Sequence, residues 1–437
     1  MDLYVQPVRR LYLSYIVPTL IGVISTSVYC LADVYFISKG SGGIGLAALN
    51  IAMPIYTIHA CIGLMFGIGG ATIMSIAEGG KKFHERNQAF TLSCVAMLII
   101  GVIISIAGSI WVEPFAKLLG ASDEILPYVK DYILPINISS CSFIFMQASS
   151  ILIRADHAPK TVMVSLMIGN ISNIILDYLF VMVFHMGISG ASIATAISPL
   201  FTLCSIAFYF IKKKNKVKFT KNFYSSQLLK RIFLNGLGTG ILELSSGFVI
   251  IIFNFIILAI SDETALAAYA IITNIAYVLK SILTGIAQAG QPILSVNFAA
   301  KYKDRVQEAL KITLLVGIIF SLSVYLCFLL FPQSIVSLFV KDDEQLMQVS
   351  SIGLRIYFSS LLFMSINSMM MNYYQSIEQG KVATRIAFFK GVIFIMIGLS
   401  FLVPLYGLIG IWLCVVFAES ICTLFLWYFY HHTKYKL

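Results

Sequence analysis

Apolar stretches of about 20 residues recur from one end of this 437-residue chain to the other. Coiled as a helix, such a stretch matches the ~30 Å hydrocarbon core of a bilayer. Twelve can be drawn, at about 11–37, 46–76, 89–111, 125–150, 161–184, 187–211, 232–260, 264–297, 309–331, 347–374, 381–403 and 407–430. Lipid offers backbone N–H and C=O groups no partner, so spans of this kind are expected to be helices. The expected fold class is an all-α membrane protein with little soluble mass. Only 11% of the residues are charged, against ~25% in soluble domains. The first stretch follows Arg9 and Arg10 with no small-residue cleavage site after it, which reads as a retained helix rather than a signal peptide.

The charge pattern sets an orientation. With the N-terminus inside, the tails and the loops after even-numbered spans hold or adjoin 23 of the 30 Lys and Arg, and the outer loops hold three, Lys39, Lys117 and Lys341. This is the asymmetry of the positive-inside rule, and it predicts a multi-pass protein of the cytoplasmic membrane with both termini cytoplasmic. The net charge of +10 is then mostly an orientation signal, and nucleic acid is not an expected partner. The eight cysteines all fall within apolar stretches and form no CxxC pair, so neither a disulfide framework nor a metal site is implied.

The densest basic stretch, "KKKNKVKFTKNFYSSQLLKR" from Lys212 to Arg231, separates six spans from six. A shift of 220 residues relates the halves. "LAALNIAMPI" (46–55) falls on "LAAYAIITNI" (266–275), and 11 of the 44 positions from 46 to 89 are identical. The same shift pairs Asp123 and Glu124 with Asp343 and Glu344, Phe143 with Phe363, and Gly187 and Gly190 with Gly407 and Gly410. Because six is even, both copies enter the membrane the same way round, a parallel 6+6 repeat of two pseudo-symmetric six-helix bundles. The expected organisation is an N-terminal lobe over 1–211, a basic cytoplasmic linker over 212–231 and a C-terminal lobe over 232–437. Transporters built this way rock their halves about a central cavity.

The first half carries acids where lipid is expected. In "GNISNIILDYLF", Asn170, Asn173 and Asp177 stand at spacings of three and four, which puts them on one face of span five. Asp177 lies nine residues before the turn near Met186 and Thr195 nine after it, so an antiparallel pair of helices sets them at one depth. Asp33 lies just before the turn that ends span one. An acid in hydrocarbon costs about 2.5–3.5 kcal/mol even on the mild insertion scale, and spans one, five and six offer no Lys or Arg at that depth. Two readings stand. Two nearby carboxylates cannot both stay ionised cheaply, which suits proton exchange, and they supply hard oxygens for a small cation such as Na⁺. Alternatively, the groups only pin helices together. Under the 220 shift Asp33, Asn173, Asp177 and Thr195 fall on Phe253, Ile393, Ile397 and Val415, so the scaffold is repeated and the acidic group is not.

The second half has its own intramembrane charges, Glu243, Lys280, Lys390 and Glu419. Glu243 is open to two readings, meeting a cationic substrate or pairing with Lys280. Lys390 and Glu419 are equally a structural salt bridge or a functional pair. Pro18 removes a backbone hydrogen bond from span one and is a candidate bending switch. His59 is a lone imidazole of span two, expected to be packed or hydrogen-bonded. "GLMFGIGG" has no Walker pattern, no ATP motif occurs elsewhere, and neither HExxH nor a nucleophile–base set is present. Pumping would therefore draw on an ion gradient, and an enzyme is not expected.

These residues resemble the MATE (multidrug and toxic compound extrusion) transporters of the MOP flippase superfamily. The resemblance spans nearly the whole chain: twelve spans, the duplication, the basic central loop, Pro18 with Asp33 fifteen residues on, Asn173-x-x-x-Asp177, and Thr195. It implies a V-shaped fold of two six-helix lobes, a cation site at Asp33, Asn173, Asp177 and Thr195, H⁺- or Na⁺-coupled antiport, and export of organic cations. No other cofactor or metal is implied. The remaining expected partners are membrane lipids, and a monomer is expected. Glu243 resembles the span-seven acid of a branch with a C-lobe cation site, but that branch carries an Asp in span ten, and "INSMMMNYYQS" (366–376) has none. The expected site is thus in the N-lobe. A flippase or exporter of a lipid or lipid-linked substrate in the same superfamily is the alternative; for a pyrophosphate-linked cargo it would need a positive central groove, and the central spans are poor in Arg. A major-facilitator transporter would also have twelve spans, but its loop between spans two and three typically reads GxxxDRxGRR, and "AEGGKKFHERNQ" (77–88) does not match.

Overall fold

The computed structural model describes residues 3–340 and 343–432; Lys341, one of the three outer basic residues, lies outside them. Every regular element among the described residues is helical. In chain order these are α1 (Val8–Gly79), α2 (Phe83–Ile110), α3 (Val112–Leu118), α4 (Leu126–Ile138), α5 (Ser140–Ala155), α6 (Pro159–Asp177), α7 (Gly187–Ile211), α8 (Ser226–Ile260), α9 (Glu263–Ala299), α10 (Lys303–Leu330), α11 (Pro332–Val336), α12 (Glu344–Tyr357), α13 (Leu361–Ser376), α14 (Gly380–Phe388), α15 (Phe394–Tyr406) and α16 (Leu408–His432). Wider π-type turns continue α6 over Tyr178–Val183 and join α14 to α15 over Phe389–Ile393.

Ten of these segments are long and apolar enough to cross a bilayer, and the bent pair α4–α5 forms an eleventh. The twelfth comes from α1, whose 72 residues break at Gly42, where φ is 60° and ψ is −147°. That conformation strains any residue with a Cβ, and the chain reverses there between spans one and two. Lipid-facing surfaces are apolar, as on α2, where Ile99, Ile103, Ile106 and Ile110 are exposed at helical spacing.

The fourth span differs from the single helix expected over 125–150. It is two helices bent by 54°, with Ser139 between them. Pro135 has no N–H for the carbonyl of Asp131 four residues back. The freed carbonyl accepts a hydrogen bond from Ser192 Oγ of α7 at 3.1 Å instead, which lets the bend persist without an unpaired backbone oxygen. The short helices α3 and α11, in the loops that follow spans three and nine, also lie outside the expected spans.

The 220-residue repeat reappears in the backbone. α2 and α10 start and end 220 residues apart, α3 and α11 start so, and Lys81 and Lys301, like Gly187 and Gly407, share positive φ. The chain divides into two compact units. One runs from Leu13 to Gly240; the other starts at Ile241 and includes the N-terminal segment up to Tyr12. The first is built on two buried apolar clusters, one around Ile73, Phe90, Ile144 and Leu152 and one around Ile37, Ala52, Ile133 and Val181. The second contains a cluster around Phe253, Ile257, Tyr269 and Cys414. In the second unit Arg305 donates to the carbonyls of Leu3 at 2.9 Å and Gln6 at 2.7 Å and to Asn297 Oδ1 at 2.9 Å, and Tyr12 donates to Ile286 O at 3.0 Å.

Candidate cation site

Three spans of the first unit converge on one polar cluster. The first half of α1 runs beside α6 in the same direction. A Cβ on Gly22 would lie 3.2 Å from Leu166, Asn170 Nδ2 donates to Ser25 and Thr26, and a Cβ on Gly40 would meet Val181. Asp33 lies on α1 between the last two of these contacts. The buried face of α6 is a single stripe of Val162, Ser165, Gly169, Asn173 and Asp177, the three-and-four spacing of a helix packed on one side. Gly169 permits that packing to be close, since a Cβ there would lie 2.0 Å from Thr202 Oγ1 of α7.

α7 is prepared for its part by a proline. Pro199 offers no N–H to the carbonyl of Thr195, and Ser198 Oγ donates to it at 3.1 Å. The Thr195 hydroxyl then donates to Asp33 Oδ1 at 3.4 Å and accepts from Asn173 Nδ2 at 3.2 Å. Asp33, Asn173 and Thr195 thus form one hydrogen-bonded chain, all of them buried. Asp177 is fully buried, and it is close enough to Asp33 that the two carboxylates would repel each other if both were ionised.

The defining feature is what these groups lack. Both carboxylate oxygens of Asp177 and Oδ1 of Asn173 are buried without a hydrogen-bond partner, and neither Asp33 nor Asp177 has an ion-pair partner among the described residues. An unsatisfied buried polar group costs about 1–3 kcal/mol, and more when charged. Three such oxygens beside a second carboxylate form a hard-oxygen donor set, the chemistry that takes a proton or an alkali cation. The residues therefore fit a small cation.

Two tyrosines that the sequence reading missed complete the surroundings. Tyr56 and Tyr132 share a hydrogen bond of 2.9 Å, and both lie within electrostatic reach of Asp33. They come from α1 beyond the Gly42 break and from α4, and no spacing rule links them to Asp33. His59 stacks on Phe143 at 5.7 Å between ring centroids, with both ring nitrogens unpartnered. Asn170, read on the same stripe as Asn173, bonds instead to Ser25 and Thr26 of α1. Pro18 is buried within α1, and the helix passes through it without interruption.

In the second unit each of Glu243, Lys280, Lys390 and Glu419 has a partner. Lys280 Nζ lies 3.2 Å from Glu243 Oε2 and donates to Ser246 Oγ at 2.8 Å. Lys390 Nζ lies 2.9 Å from Glu419 Oε1, Asn367 Nδ2 donates to Glu419 Oε2 at 2.6 Å, and Thr423 donates to Asn367 Oδ1 at 3.0 Å. The two units differ in chemistry as well as in sequence: the first leaves oxygens of Asp177 and Asn173 free, and the second pairs Glu243 and Glu419 with lysines.

The MatE family model matches residues 18–179 and 237–402. The multidrug export protein MepA of Staphylococcus aureus (strain MRSA252) is 25% identical over 424 residues, 96% of this chain and 92% of its own. The structure of an outward-facing conformation of a multidrug resistance MATE family transporter of the MOP superfamily superposes with a TM-score of 0.90 at 20% identity, covering 97% of this chain and 96% of that one. A MOP superfamily transporter from Pyrococcus furiosus, described as having a binding pocket of reverse polarity, superposes with a TM-score of 0.91 at 20% identity, covering 98% and 96%.

Proposed function

The chain belongs to the MatE family, and from that premise we propose that it is a cation-coupled antiporter, driven by H⁺ or Na⁺, that exports organic cations across the cytoplasmic membrane. It is a multi-pass membrane transporter of the multidrug-efflux class rather than an enzyme. Export of cationic compounds and the coupling ion are our reading, as is the placement of both termini in the cytoplasm. The observation that carries the reading is the set of unpartnered oxygens on Asp177 and Asn173 beside Asp33.

In this scheme the small cation and the cargo compete for the first unit. A proton or Na⁺ taken up by Asp33 and Asp177 removes the negative charge that holds a cationic compound, and the compound leaves on the outer side. The coupling ion is released inward in the opposite state. The work comes only from the difference in affinity that each ligand has for the two states. A tenfold difference corresponds to about 1.4 kcal/mol, which one carboxylate changing its charge in a low dielectric can supply.

Two substitutions test this. Asp33→Asn and Asp177→Asn keep the size of the side chain and remove its titration. Cells expressing either variant at wild-type level should lose resistance to cationic dyes. Unchanged resistance in both variants would remove these residues from the mechanism.

A further inference from the structure

At the end of the first unit opposite the Gly42 turn, a cavity of about 290 Å³ opens among Asp156, His157, Lys160, Thr161, Tyr209, Lys214 and Lys216 and their neighbours. Its floor is the start of α6. Pro159 has no N–H, Ala158 at the helix cap supplies no side-chain bond, and the N–H groups of Lys160 and Thr161 lie in the unbonded first turn. A helix of 19 residues directs its positive dipole end at this point.

The walls add positive charge, while His157 is engaged by the fold, its Nε2 bonded to Glu78 at 2.8 Å. Lys160 and Lys214 form no ion pair among the described residues, and Lys216 reaches Glu78 only at 3.8 Å. The acid in the cavity is spent on the fold. Asp156 accepts from Tyr209 Oη at 2.7 Å and from the backbone N–H groups of Lys216 and Val217, each at 3.0 Å. Those bonds hold the linker against α7 and so set Lys214 and Lys216 at the rim.

The surface beyond the cavity indicates what the ligand is attached to. Val164, Ile168, Ile171 and Ile175 are exposed on α6. They follow Lys160 at steps of four, four, three and four, so they continue the helical face that Lys160 heads. Phe208 and Ile211 are exposed at the end of α7. A basic pocket thus opens directly onto an apolar, lipid-facing stripe. Basic pockets between spans on the cytoplasmic side take up lipid phosphates.

We propose that this pocket binds the phosphate of an anionic glycerophospholipid, whose acyl chains lie along the Val164–Ile175 face of α6. The phosphate oxygens accept from the first-turn N–H groups of α6 and from Lys160 and Lys214. A zwitterionic lipid carries the same phosphate with a choline that three lysines repel. The site is separate from Asp33 and Asp177, and the inference does not depend on the coupling ion.

Thermal unfolding of the purified full-length protein in neutral detergent tests it, with phosphatidylglycerol, phosphatidylcholine or inorganic phosphate added in separate arms. Phosphatidylglycerol should raise the midpoint by several degrees more than phosphatidylcholine, and inorganic phosphate should not. The doubly substituted Lys160→Gln/Lys214→Gln protein should lose that excess. Lys303→Gln/Lys311→Gln, which removes the same charge from exposed positions of α10, should keep it, as should the charge-conserving Lys160→Arg/Lys214→Arg. Native mass spectrometry should show one fewer retained phosphatidylglycerol in the glutamine variant, a readout that holds even if that variant is less stable. Equal effects of the two lipids, an excess that survives Lys160→Gln/Lys214→Gln, or an equal effect of inorganic phosphate would each overturn the proposal.

Discussion

The hydroxyl of Thr195 donates to Asp33 Oδ1 at 3.4 Å across 162 positions of sequence. The same hydroxyl accepts from Asn173, so one side chain on α7 ties the acid of α1 to the amide of α6. Thr195→Val keeps the shape and removes both roles. At about 1–3 kcal/mol for buried groups left unpaired, the apparent affinity for the coupling ion should fall roughly tenfold or more, read as the ion concentration at half-maximal efflux. Thr195→Ser should restore it. Equal values for wild type and Thr195→Val would make the hydroxyl a bystander.

Gly169 sets the distance between α6 and α7. Because a Cβ there would lie 2.0 Å from Thr202 Oγ1, Gly169→Ala should push the helices apart and slow dye efflux. Overpacking of this kind costs about 1–3 kcal/mol. Adding Thr202→Ala should recover part of the rate. Efflux unaffected by Gly169→Ala would show that close packing at this level is not needed.

The buried pair Lys390–Glu419 predicts a contrast between single and double variants. Lys390→Met leaves Glu419 buried with only Asn367 as partner and should cost about 3–5 kcal/mol, visible as a large fall in the unfolding midpoint. Lys390→Met/Glu419→Leu should return most of it, since an apolar pair of similar volume replaces a buried ion pair at little cost. A double variant no more stable than the single one would contradict a purely structural role.

Arg305 holds the N-terminal segment in the second unit through the carbonyls of Leu3 and Gln6. Hydrogen bonds from a charged donor contribute about 1.5–3 kcal/mol each. Arg305→Gln should therefore raise amide hydrogen exchange over residues 3–12 while leaving the rest of that unit protected. Unchanged exchange there would mean that other contacts hold the segment.

Much of this was legible in the sequence because membranes simplify the code. Span length follows from bilayer thickness, and the 220-residue offset located the duplicated backbone down to paired residues such as Gly187 and Gly407, which share positive φ. Counting steps from the turn near Met186 brought Thr195 close to the level of the α6 stripe, where it meets Asn173, because antiparallel helices have a fixed rise. What the sequence did not yield were contacts that depend on rotation and crossing of helices. Tyr56 and Tyr132 are 76 positions apart and share a bond that no periodicity indicates. The bend at Ser139 was hidden because Pro135 is also compatible with a continuous span, and the compensating hydroxyl comes from Ser192 on another helix. Asn170 and Asn173 looked equivalent on a helical wheel, yet neighbouring helices take them to different partners.

The central claim is that Asp33 and Asp177 exchange a small cation for cargo. Dye efflux from proteoliposomes, with a proton gradient and a sodium gradient imposed separately, measures this directly for wild type, Asp33→Asn and Asp177→Asn. Efflux in the wild type should follow one of the two gradients, and both variants should fall to the rate of empty liposomes under either. Gradient-driven efflux at the wild-type rate in the Asp33→Asn and Asp177→Asn proteins would contradict it.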